Sequence, residues 1–294
     1  MTSPVVHVFK TAFAIVSALT CQPAICAVAT GTIPGFDHVV IVIMENTSDA
    51  SIIGNTAQAP YINSLADAGV YFSDAHAVTH PSQPNYLALF SGSTQGITDD
   101  SCPHHFNAPN LASELRAASL TFTGYSESMP ADGFSRCTAY PYARKHNPWV
   151  NFNNVPNTGN LRFSRFPVDF ATLPTLAIVV PNLCNDMHDC PIATGDAWLQ
   201  DNIDAYVQWA RTRNSLLILT WDEDDSATTA NRIPLVFAGA NVRIGYTSTT
   251  TVTHYNVLRT LEDMYGLPPL GNAANVAPIT EVWVDDRVFA DGFD

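Results

Sequence analysis

Apolar residues in this chain gather in short, nearly unbroken runs. Residues 38–44 (HVVIVIM) and 216–221 (LLILTW) are apolar at almost every position. Successive side chains of a strand point to opposite faces, so such runs describe strands covered on both sides. Similar runs occupy residues 70–72, 121–125, 176–181 and 233–238. Between them lie segments with helical spacing, at 61–68, 85–91, 111–118, 197–213 and 255–265. In the longest, Leu199, Ile203, Tyr206, Val207 and Ala210 share one face. Asp196 is placed to cap its start, and Gly266 to stop the last helix. This alternation predicts an α/β fold: a mostly parallel central sheet flanked by helices on both faces.

Residues 129–170 break the pattern. They are rich in Pro, Asn and aromatics, have little periodicity, and predict a long ordered excursion that carries substrate contacts. At the start, Lys10 precedes a small-apolar run at 11–20, and Ala27-Val28-Ala29 is a small-residue cleavage motif. Residues 1–29 therefore read as an export signal, too short in apolar length to span a bilayer. The chain is expected to be secreted or periplasmic, with one catalytic domain at 30–284 and an acidic tail at 285–294. No later stretch predicts a transmembrane helix, and a monomer is expected.

The 294 residues carry a formal net charge of −14, which argues against electrostatically driven nucleic-acid binding. Cys102, Cys137, Cys184 and Cys190 lie beyond the signal, and four cysteines in an exported chain suggest two disulfides. Three pairings are possible. Cys102–Cys137 with Cys184–Cys190 is favoured, the second closing a small loop around residues 185–189.

The chemistry follows from where the apolar runs stop. Run 38–44 leads directly into Glu45 and Asn46, and run 216–221 into Asp222, Glu223, Asp224 and Asp225. Ligands of α/β sheets bind at the carboxyl ends of strands, and oxygen-rich clusters suit hard divalent cations. Glu45, Asn46, Asp222 and Glu223 are therefore candidate metal ligands. Ser82, in His80-Pro81-Ser82-Gln83-Pro84-Asn85, stands ahead of a helical pattern, where free amides and the helix dipole favour an alkoxide and a phosphate. Thr79 is the competing hydroxyl. His80, His188 and His254 are candidates for proton transfer or phosphate contact. Arg144, Lys145 and His146 are candidates for holding anionic substrate oxygens. His104 and His105 read as surface residues. There is no P-loop, no dinucleotide fingerprint and no GxSxG elbow.

These segments, with APYINSLADAG (59–69), THPSQPNYLALFSGSTQG (79–96), PNLCNDMHD (181–189) and THYNVLRTLEDMYGL (253–267), resemble the bacterial phosphoesterase family. That family contains secreted acid phosphatases and non-haemolytic phospholipases C, within the alkaline-phosphatase-like superfamily. The resemblance implies metal-dependent hydrolysis of phosphate monoesters, including phosphoinositide head groups, through a phosphoserine on Ser82. It implies Glu45, Asn46, Asp222 and Glu223 as ligands, Asp186 as a further ligand, His188 as a catalytic histidine and His254 as a histidine near the phosphate. Asp224-Asp225 replaces the His-Gly-Gly-like continuation of that branch. With acids and amides where zinc-rich relatives have histidines, Ca, Mg or Mn is favoured over two zincs. Two other readings stay open: a phosphodiesterase or phospholipase C of the same superfamily, and a non-catalytic exported binding protein stabilised by calcium.

Overall fold

The computed structural model describes residues 1–2, 32–226 and 229–284. Nearly all of the expected export signal at 1–29 and the whole acidic stretch expected as a tail at 285–294 lie outside the described residues. Eight strands form one sheet: β1 (His38–Met44), β2 (Val70–Phe72), β3 (Phe122–Ser126), β4 (Asn160–Arg162), β5 (Leu176–Val180), β6 (Ser215–Trp221), β7 (Leu235–Gly239) and β8 (Tyr246–Ser248). Their order across the sheet is β8-β2-β7-β6-β1-β5-β3-β4. All neighbours run parallel except at β7, which is antiparallel to both β6 and β2. The expected mostly parallel sheet is therefore present.

Every residue of β5 and β6 is buried, as is β1 from Val39 onward. Because alternate side chains face opposite ways, helices must cover both sides. Five do so: α1 (Pro60–Asp67), α2 (Ser82–Ser91), α3 (Leu111–Ala117), α4 (Ile192–Ala210) and α5 (His254–Tyr265). Helices α2, α3 and α5 pack together as one layer, and α1 packs against α4. Gly266 ends α5 in the left-handed conformation at φ 64°, as anticipated.

Two helix starts differ from expectation. Helix α4 begins at Ile192, five residues before the position read from the pattern, so Asp196 lies inside it and does not cap it. Its buried carboxylate instead accepts from the amides of Tyr61 (3.1 Å) and Ile62 (2.9 Å). It thus caps α1, whose own preceding residue, Ala59, has no side-chain acceptor. Helix α2 begins at Ser82 rather than Asn85. Pro84 is tolerated there because first-turn amides have no intrahelical partner to lose.

The 129–170 excursion is ordered, with short 3-10 turns, a two-stranded ribbon and the edge strand β4, which its sequence does not reveal. Cys102–Cys137 and Cys184–Cys190 are both bonded, with Cα separations of 5.7 and 4.7 Å. Among the described residues, no helix is long and apolar enough to cross a membrane.

Candidate active site

Strands β1 and β6 pair in parallel with Met44 opposite Trp221. The residues that follow each strand must therefore emerge side by side. Asn46 donates its amide to Asp222 Oδ1 at 3.2 Å, in a left-handed conformation (φ 41°) that asparagine tolerates well. The loop after β5 closes from the other side, where the Glu45 amide donates to the Asp186 carbonyl at 2.8 Å.

Ser82 enters this pocket from the first turn of α2. Asn85 sets the turn: its Oδ1 accepts from the Val78 and Thr79 amides, and its Nδ2 donates to the Thr79 and Pro81 carbonyls. The buried Ser82 hydroxyl lies 3.2 Å from Glu45 Oε2, 3.4 Å from Asn46 Oδ1 and 3.0 Å from Glu223 Oε1. One O–H cannot donate to three acceptors at once, so these oxygens exceed what the hydroxyl can satisfy. Thr79, the competing hydroxyl, donates to the His80 carbonyl at 3.1 Å. Ser82 is thus the hydroxyl that the fold brings to the acidic cluster.

Glu45, Asp186, Asp222 and Glu223 are all buried. Burial, with repulsion from Asp222 and Asp186, raises the Glu45 pKa well above the usual carboxylate range, although Tyr86 donates to its Oε1. Burial and the neighbouring Glu223 push Asp222 up to about 8. Burial likewise raises Asp186 and Glu223. So many ionised carboxylates cannot share a dry pocket without a cation.

The site fits such a cation. Asp186 Oδ2, Asp222 Oδ2 and His146 Nε2 are buried and lack a hydrogen-bond partner among the described residues. Glu45, His146 and Asp186 offer ligand atoms that all lie within 4.8 Å of one another. His146 Nε2 is 3.2 Å from Glu45 Oε1, and Nδ1 is 3.6 Å from Asp186 Oδ2. Its ring stacks on Tyr86, with centroids 5.2 Å apart. Burial lowers its pKa well below the usual imidazole value, which keeps it neutral, as a metal ligand must be. A divalent metal is compatible with this donor set.

His146 was expected on the substrate and belongs to the donor cluster instead. Arg144 also differs from expectation. Its buried guanidinium donates to the carbonyls of Ser135 (2.6 Å), His104 (3.0 Å) and Val150 (2.9 Å) and to Asn151 Oδ1 (3.1 Å), which ties the excursion together. His254 stands behind the cluster, its Nε2 donating to the Asp222 carbonyl at 2.7 Å; burial lowers its pKa to about 4. It thereby steadies the backbone at the end of β6. His80 contacts Glu223 through Nδ1 and lies 3.3 Å from Asp224 Oδ1 through Nε2. His188 is partly exposed, with Nδ1 2.7 Å from Asp189 Oδ1 and its ring 6.1 Å from that of His146. Lys145 is held by Asp100 at 2.8 Å. Burial works against the Lys145 charge, but Asp100, Glu45 and Asp222 outweigh it and raise its pKa.

A buried hydroxyl at a helix start, set among acids at the carboxyl ends of parallel strands, is an arrangement that suits a hydrolase of phosphoric esters. A family model for the Phosphoesterase family matches residues 55–268, and the chain belongs to that family. It is 55% identical over 260 residues to a phosphatidylinositol-3-phosphatase of Mycobacterium tuberculosis, spanning 87% of this chain and 86% of that one. It is 34% identical over 237 residues to an acid phosphatase of Aspergillus fumigatus, spanning 74% of this chain but only 53% of that longer protein. The fold resembles that of a solved alkaline phosphatase superfamily protein from Vibrio parahaemolyticus (TM-score 0.60, 10% identity, 86% of this chain and 73% of that one).

Proposed function

We propose that this protein is an exported, metal-dependent phosphomonoesterase that works through a phosphoserine on Ser82 and takes phosphoinositide head groups among its substrates. The observation that carries this reading is the Ser82 hydroxyl inside the ring of Glu45, Asn46 and Glu223. The names of the mycobacterial and fungal relatives support the monoester and head-group class. The two disulfides and the leader motif of the sequence support export.

Glu45, Asn46, Asp186, Asp222, Glu223 and His146 would hold the cation. When bound, it supplies positive charge for an anionic ester and eases deprotonation of an oxygen nucleophile. The imidazole among the donors favours Mn over Ca or Mg within the expected set. Ser82 stands at the positive end of the α2 dipole, which favours an incoming phosphate. Ser82 Oγ forms a bond to phosphorus while the bond to the ester oxygen breaks, and its proton passes to a neighbouring carboxylate. His188, partly exposed and oriented by Asp189, supplies the proton that the departing alcohol needs. Water then cleaves the phosphoserine and restores the hydroxyl. Lys145 offsets charge on the substrate oxygens.

Replacing Ser82 tests this. Ser82→Ala should lower turnover of p-nitrophenyl phosphate by about 10³-fold or more with the unfolding midpoint unchanged. Near-normal turnover in that variant would sink the phosphoserine route. Faster turnover of bis-p-nitrophenyl phosphate than of the monoester by the unaltered protein would move the reading to a diesterase.

A further inference from the structure

Helix α2 carries the nucleophile, yet the residue before it, Pro81, offers no side chain to cap it. The cap comes from a distant loop. Asp100 Oδ1 accepts from the Gln83 amide, one residue after Ser82, at 2.9 Å. The other oxygen of the same carboxylate accepts from Lys145 Nζ at 2.8 Å. One side chain therefore joins the start of the nucleophile helix to the lysine of the excursion.

The surroundings make this junction firm. The buried Gln83 side chain donates to the carbonyls of Ser101 (2.7 Å) and Asp99 (3.4 Å), so residues 99–101 grip the first turn of α2 twice more. Cys102, the next residue, is bonded to Cys137, and the Cys137 carbonyl accepts from the Arg144 amide at 3.1 Å. The loop that carries Asp100 and the segment that carries Lys145 are thus fastened to one another beside the ion pair. The Lys145 charge interacts with Glu45, Asp186 and Asp222 of the acidic cluster. A lysine on a flexible four-carbon stem is a poor anion holder unless something fixes it.

We propose that Asp100 is a positioning residue of this active site: its carboxylate ties Lys145 to the first turn of α2 and so holds the ammonium where an anionic substrate meets Ser82. The inference rests on the phosphomonoesterase reading above. Asp100 need not touch the substrate. It acts through Lys145.

The test is a double-mutant cycle on p-nitrophenyl phosphate with Asp100→Asn, Lys145→Met and the pair. Asp100→Asn keeps an oxygen for the Gln83 amide and removes the ionic hold on Lys145. It should raise KM by about 3–10-fold and leave kcat within about twofold, with inhibition by inorganic phosphate weakened in parallel. Lys145→Met should do at least as much. The pair should be no worse than Lys145→Met alone, because the effect of Asp100 runs through the lysine. Additive losses, an unchanged or lower KM in Asp100→Asn, or a fall in kcat alone would overturn the proposal. An altered unfolding midpoint in Asp100→Asn, with KM unaffected, would reduce Asp100 to a structural cap and also overturn it. Absence of turnover in the unaltered protein would sink the enzymatic reading instead, which keeps the two failures apart.

Discussion

Glu262 shows what a single buried side chain does to the response of this protein to pH. It is fully buried on α5; Oε1 accepts from the Leu270 amide at 2.8 Å, and Oε2 lacks a hydrogen-bond partner among the described residues. Burial pushes its pKa up to about 7, against an ordinary 4.5, with Asp263 and Glu114 adding to the rise and Arg259 opposing it. The folded state therefore keeps a proton that the unfolded chain releases. Its stabilising contribution is complete below about pH 4.5 and is lost as pH climbs through about 7. Glu262→Gln keeps an acceptor for the Leu270 amide and cannot ionise. Urea unfolding at pH 5 and pH 8 should show a smaller loss of stability in the variant than in the unaltered protein; an equal loss would refute the assignment. At the same scale, the carboxylates of the site are legible in the sequence because Glu45 and Asp222 end unbroken apolar runs. His146 is not legible as a donor. It follows Arg144 and Lys145 in an aperiodic segment, and nothing local signals that its ring folds against Tyr86. Asp100 carries no signal either, since its meaning arises from contacts with Gln83 and Lys145 that only the folded chain creates.

Elements buried on both faces announce themselves, whereas short edge elements do not. Strands β1, β5 and β6 are legible because a central parallel strand must be apolar on alternate and intervening positions alike. Strand β4, three residues paired to β3 at the sheet edge, is too short to leave a period. Helix starts are blurred where the cap comes from elsewhere in the chain. Asp196 looks like a local cap for α4 and in fact serves α1, a role set by the packing of the two helices. Asp196→Ala should remove the acceptor of the Tyr61 and Ile62 amides and leave them buried without a partner. The expected cost is about 1–2 kcal/mol, read by urea denaturation. Asp196→Asn, which retains one acceptor oxygen, should recover part of it. A neutral Asp196→Ala variant would show that α1 needs no external cap.

For the whole molecule, the mostly parallel sheet and its acidic edge were legible, because apolar runs that end in acids mark the carboxyl ends of buried strands, whereas the strand order was not. The docking of the excursion onto that rim was not, because it depends on the Cys102–Cys137 bond and on side-chain contacts without sequence pattern. A cation that binds the folded rim and not the unfolded chain must stabilise the fold by mass action. Excess Mn²⁺ should raise the melting temperature by about 5–10 °C over protein treated with chelator, and Glu45→Gln should abolish most of that difference. An identical melting temperature with and without chelator would remove the cation from the account. The backbone amide of Asn46 and the carboxylate of Asp222 meet across 176 positions of sequence. No fragment ending before β6 possesses the donor set, however well its earlier strands have formed. On the proposed reading, a folding chain is consequently blind to metal until β6 slots in beside β1, and ion capture would be a signature of completed assembly.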